Sequence, residues 1–115
     1  MPEQLKASAT LMGAKLTNVA LITDGRYSGA SHGFIVGHIV PEAAVGGPLA
    51  VVRDGDVIAI DAEKCSLELV DVTAQEIRER LKSWKSPRPL VTRGVLAKYA
   101  HLVGDASHGA MTDLF

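Results

Sequence analysis

The chain has 115 residues, 47% hydrophobic and 22% charged, with a formal net charge of -1. That is one domain's worth of sequence, with material for a core and enough charge for solubility. It carries no basic stripe of the kind that binds nucleic acid, and no apolar run near the roughly 20 residues of a membrane helix. Its five aromatic residues (Trp84, Tyr27, Tyr99, Phe34, Phe115) leave the core to Val, Ile, Leu and Ala. The lone Cys65 excludes an internal disulfide and a cysteine-rich metal cage, and fits a reducing compartment. The start, Met1-Pro2-Glu3-Gln4-Leu5-Lys6, lacks the pattern of a secretory signal.

Pro2 and Glu3 suit a first helical turn. Leu5, Ala9 and Met12 recur at helical spacing before Gly13, so residues 3–12 read as a short amphipathic helix. Val19-Ala20-Leu21-Ile22-Thr23 is a nearly continuous apolar run, which reads as a strand buried on both faces. It delivers Asp24-Gly25-Arg26-Tyr27-Ser28-Gly29, then glycines at every fourth position through Gly37. Periodicity does not decide between helix and strand around Phe34-Ile35-Val36 and His38-Ile39-Val40. Pro41-Glu42-Ala43-Ala44 and Gly46-Gly47-Pro48 read as loop.

Residues 49–53 and 56–60 flank Asp54-Gly55, a pair that signals a hairpin turn between β-prone runs. Residues 66–70 alternate and predict a third strand. Thr73-Ala74-Gln75-Glu76 fits a capping box for a helix with Ile77, Leu81 and Trp84 on its apolar face. Glu76 and Arg80 make an i,i+4 pair expected on its exposed side, where Arg78 and Arg80 read as a solvated face. Pro87 and Pro89 end that helix. Thr92 is a candidate cap for a last helix with Leu96, Tyr99, Ala100 and Val103 inward. The order of elements predicts an α/β domain with a largely β centre.

The glycine-rich turn is the candidate site. Glycines let the backbone approach a ligand and aim its amides at an anion. Arg26 could pair with a carboxylate. Gly-x-x-x-x-Gly-Lys-Ser/Thr, Gly-x-Gly-x-x-Gly and Gly-x-Ser-x-Gly are all missing, which removes the phosphate loop, the dinucleotide fingerprint and the nucleophile elbow. On residue chemistry alone Ser28 ranks below His32 as a base, because a serine hydroxyl needs activation. The simpler reading of Ser28 is a turn serine bonding its own backbone. Asp24 reads first as a turn former, and His32 and His38 as packed, hydrogen-bonded histidines.

The run Val19-Ala-Leu-Ile-Thr-Asp-Gly-Arg-Tyr-Ser28-Gly-Ala, with Gly37-His38, Pro41-Glu42-Ala43, Gly46-Gly47-Pro48, Arg53-Asp-Gly-Asp56 and Arg93-Gly-Val-Leu-Ala-Lys-Tyr99, resembles the C-terminal domain of the dihydroxy-acid dehydratase family. The resemblance runs in order from Met1 to about Asp113. That family includes phosphogluconate and sugar-acid dehydratases, and Ser31-His32-Gly33-Phe34 looks most like its 2,3-dihydroxy-acid branch of branched-chain amino-acid biosynthesis.

The resemblance implies residues 1–115 as a single C-terminal domain of the swivelling β/β/α type, with a small β-barrel-like centre flanked by helices. It implies a hydro-lyase turning 2,3-dihydroxy acids into 2-keto acids, with an iron–sulfur cluster such as [2Fe–2S] and Mg2+ in the intact enzyme. Ser28 would be the base, with Arg26 and Gly29 beside it on the substrate, and Glu3 of Met1-Pro2-Glu3 a magnesium ligand. The cluster ligands would lie in a larger N-terminal domain, the partner this chain lacks, so the chain alone should be inactive. Cys65 matches no cluster ligand, and Tyr27 stands where the family usually has Phe. A homodimer in the cytoplasm, or in an organelle stroma or matrix, would follow. The competing expectation is a free-standing binding module for an anionic metabolite or a protein partner.

Overall fold

The computed structural model describes residues 4–113. They form two compact units, one from residues up to Glu42 together with those from Arg88 onward, the other Ala43–Pro87.

The first unit begins with α1 (Leu5–Gly13), followed by β1 (Ala20–Ile22) and β2 (Phe34–Val36). The two strands pair in parallel, Ala20 opposite Phe34 and Ile22 opposite Val36. The ladder runs on past β1: the Thr23 amide donates to Val36 O (3.0 Å), and the Ile39 amide to Thr23 O (3.2 Å). The glycine-rich segment is thus neither helix nor strand throughout; it is the crossover that returns the chain for parallel pairing, and only residues 34–36 are strand. A cis Val40–Pro41 bond follows. The unit closes with α3 (Val95–Leu102) and a 3-10 turn, Ala106–His108. Thr92 does not cap α3: the N-cap is Gly94, at φ 84°, with no side-chain bond.

The faces of α1 and α3 differ from the expected ones. Leu5, Ala9 and Met12 are exposed, and the buried residue of α1 is Ser8. On α3, Leu96, Tyr99 and Ala100 are exposed; of the expected inward residues only Val103, just beyond the helix, is half-buried. The hydrophobic stripes are real, but they are only partly covered among the described residues, with Met12 50% and Leu96 63% exposed.

The second unit carries two 3-10 turns (Ala43–Val45, Pro48–Ala50), then β3 (Ile58–Asp61), β4 (Ser66–Leu69) and α2 (Ala74–Ser83). Strands β3 and β4 are antiparallel, Ile58 opposite Leu69 and Asp61 opposite Ser66. Their turn is residues 62–65, where Asp61 Oδ1 accepts from the amides of Glu63 and Lys64, and Cys65 takes φ 52°. The hairpin therefore lies one turn later than Asp54-Gly55 predicts. At residues 53–56 only Gly55 has positive φ (95°), and the Asp56 amide donates to Arg53 O. A hairpin turn of the twisted type needs positive φ at both central residues; with Gly55 alone, the flanking segments splay. Residues 48–50 coil instead, led by Pro48 at the first helical position.

Thr73 caps α2, its Oγ1 accepting from the Glu76 amide at 3.1 Å. Glu76 takes Arg80, with Oε1 2.7 Å from Nη2. Arg80 is not on a solvated face: its side chain is 9% exposed, and it reaches Asp56 and Val51 O as well. Val51 and Val72 are the buried apolar residues of this unit.

The β-barrel-like centre is not present. Among the described residues there are two separate two-stranded sheets, β1–β2 and β3–β4, and neither closes on itself. Strands of three or four residues, two to a sheet, cannot supply the stagger and strand number that closure requires. The fold is α/β with small sheets flanked by helices.

Candidate active site

The turn after β1 is fixed by backbone chemistry at each end. Thr23 Oγ1 accepts from the Gly25 amide (2.9 Å), a short side-chain clasp that starts the turn. Gly25 O accepts from the His38 amide at 2.8 Å, tying the turn to the segment after β2. Gly37 allows that approach: a Cβ there would lie 3.3 Å from Gly25 O and 3.4 Å from Tyr27 Cδ2. Arg26 O meets the amide of Gln4 at the entry to α1 (3.4 Å). The Ser31 amide donates to Ser28 O at 3.1 Å, closing a tight turn with Gly29 and Ala30 at its exposed tip.

Three serines surround this turn, and they differ. Ser8, 2% exposed, is fully used: its Oγ donates to His32 O and accepts from the His32 amide, both at 3.0 Å. The hydroxyls of Ser28 and Ser31 are buried and have no hydrogen-bond partner among the described residues. Ser28 is therefore not a turn serine bonding its own backbone. An unpartnered buried hydroxyl costs about 1–3 kcal/mol, and such groups are met by protein, ordered water or a bound ligand.

Of the other site residues, Arg26 and Gly29 are exposed beside Ser28 and Asp24 is half-buried. Partial burial raises the Tyr27 phenol above its ordinary value. Glu3 lies outside the described residues. His32 and His38 are exposed, not packed; His32 meets α1 through its backbone, and His38 takes φ 53° where it bonds Gly25. Ser31, to which sequence reasoning gives no site role, lies on the same turn; its signal is a second serine three positions from Ser28, the two corners of one turn.

Two other clusters offer no competing site. Ser107, His108 and Asp105 are close, but Asp105 Oδ1 accepts from both Ser107 Oγ and His108 Nδ1. The carboxylate caps a 3-10 turn rather than orienting a histidine toward a serine. A recess of about 170 Å³ in the second unit is lined by Arg53, Arg80 and Trp84. Arg80 has no donor left for a ligand there, since its five N–H groups go to Asp56, Glu76 and Val51 O. No three His, Cys, Asp or Glu side chains come together among the described residues, and Cys65 is exposed, so these residues alone build no cage for magnesium or an iron–sulfur cluster.

Residues 1–110 match the family described as dihydroxy-acid/6-phosphogluconate dehydratase C-terminal. The chain is 57% identical over 114 residues to the mitochondrial dihydroxy-acid dehydratase astD of Aspergillus terreus, covering 98% of this chain and 19% of that protein. It is 57% identical over 112 residues to a dihydroxy-acid dehydratase of Saccharolobus islandicus, covering 97% of this chain and 20% of the relative. A third, the mitochondrial dihydroxy-acid dehydratase pbrD of Penicillium brasilianum, is 58% identical over 114 residues, 98% of this chain and 19% of its own. The chain belongs to the dihydroxy-acid/6-phosphogluconate dehydratase family, as its C-terminal domain. It spans about a fifth of the length of these curated relatives.

Proposed function

We propose that this domain supplies Ser28 as proton acceptor to a hydro-lyase that converts 2,3-dihydroxy carboxylic acids to 2-keto acids. The observation that carries the reading is the Ser28 hydroxyl, buried and without a partner among the described residues, on a turn pinned at both ends. The names of the relatives, dihydroxy-acid dehydratases in fungi and an archaeon, support the substrate class.

In the reaction, Ser28 Oγ takes the C2 proton. The C2–H electron pair forms a C2–C3 double bond and the C3–O bond breaks; the departing hydroxide becomes water with the proton that Ser28 took, which restores the base. The resulting enol tautomerises to the 2-keto acid. Arg26 is assigned to the substrate carboxylate and Gly29 to close backbone approach at the turn's tip. A neutral serine hydroxyl is a weak acceptor and needs positive charge beside it. This reading assigns that charge, the ligands of the iron–sulfur cluster and most of the magnesium ligands to the N-terminal domain. Glu3 is this chain's proposed magnesium ligand. The intact enzyme is proposed to be a homodimer. No helix among the described residues is long and apolar enough to cross a membrane, and a soluble enzyme of cytoplasm or organelle fits that reading.

In the full-length enzyme, Ser28→Ala should lower kcat by about 10²–10⁴-fold, the usual worth of a general base. Binding of a non-reactive 2-hydroxy acid should survive. Retention of most of the turnover would remove Ser28 from the mechanism.

A further inference from the structure

We propose that Ser31 is a second substrate-binding residue, whose hydroxyl donates to a carboxylate oxygen of the hydroxy acid and holds it for Ser28. The inference rests on the dehydratase reading of the turn and adds a residue to it.

The argument starts from what Ser31 already has. Its backbone amide is satisfied by Ser28 O at 3.1 Å, so the fold needs nothing from its side chain. Its hydroxyl is nonetheless buried without a partner among the described residues, like that of Ser28. Ser8 shows what a structural serine looks like around the same turn, with one bond donated and one accepted. Alanine at position 31 would keep every backbone bond of the turn, so the fold gives the hydroxyl no structural use. An uncharged hydroxyl donor is worth most against an ionised acceptor, and the carboxylate is the ionised group of this substrate class. Ser31 and Ser28 then divide the work: one anchors the acid, the other takes the neighbouring proton.

The test uses the full-length enzyme with Ser31→Ala, Ser31→Thr and Ser31→Val. Competition by 2-hydroxy-3-methylbutanoate, which has no 3-hydroxyl to lose, reads binding apart from chemistry. Ser31→Ala should raise KM and weaken the competitor by about ten- to a hundredfold, as expected for a hydrogen bond to a charged group. The kcat should change far less. Thr keeps the hydroxyl and should stay close to the parent; Val, of the same shape, should behave like Ala. The corresponding amide, which has no carboxylate charge, should lose much less affinity than the acid. Tm of Ser31→Ala should be unchanged or higher. Unchanged KM in both Ala and Val, or a lower Tm in Ala, would overturn the proposal. If Ser28→Ala is dead while Ser31→Ala binds normally, only the Ser31 role fails. If Ser28→Ala remains active, the dehydratase reading of the turn fails, and Ser31 with it.

Discussion

Asp105 gathers three donors on one carboxylate oxygen. Ser107 Oγ lies at 2.7 Å, His108 Nδ1 at 2.8 Å and the His108 amide at 3.0 Å from Oδ1. These bonds, Ser107 first, hold the ionised form and push the carboxyl down to about 2. Because the folded pKa lies below the ordinary one, the stability it contributes is fully present above about pH 4. It is lost as pH falls through about 2. A carboxyl-carbon NMR titration should place the Asp105 midpoint near 2, and Ser107→Ala should move it upward. A midpoint at the ordinary aspartate value would show that the three-donor cap does not form in solution. The segment Asp-Ala-Ser-His carries no periodic signal, and the cap depends on backbone angles that no spacing rule encodes.

At the scale of elements, legibility follows how local the cause is. Helix α2 is readable because its signals sit within four residues of each other: Thr73 on the Glu76 amide, Glu76 on Arg80, then proline after its end. Thr73→Ala should cost about 1 kcal/mol. For a domain near 100 residues that lowers Tm by about 4–8 °C in a thermal melt. No change would mean that α2 is held by Arg80 alone. The Asp54-Gly55 turn misleads because one dipeptide serves two turn types, and the φ of Asp54 is set by what the neighbouring segments pair with. Here Asp56 is drawn to Arg80 across 24 residues, and that ion pair lowers the Asp56 carboxyl below its usual range. The strand before the glycine-rich turn is legible as a strand, but it is not buried on both faces: it is three residues long, with Ala20 exposed and Leu21 and Ile22 half-buried. The orphaned hydroxyls on the turn are not legible, since a serine's partners are set by distant chain such as α1.

At the scale of the whole molecule, burial is unevenly spent. The buried apolar residues among those described, Val51 and Val72, both belong to the second unit. The first unit, which carries the glycine-rich turn, exposes Leu96 at 63% and Tyr99 at 50% on α3. Contiguous exposed apolar faces mark places where other protein docks. The curated relatives carry about five times this much chain, and the reading above places the remaining part of the site on it. The α3 face is thus proposed to pack against the N-terminal domain. Leu96→Asp separates this from a simple surface role. In the isolated chain the substitution touches solvent and should shift stability within about 0.5 kcal/mol. In the full-length enzyme it should bury an unpaired carboxylate, lower Tm by several degrees and reduce dehydratase turnover, while the parent isolated chain shows no turnover at all. Equal effects in both proteins would make α3 part of this chain's own core, and turnover by the isolated chain would mean the active site is complete without a partner domain.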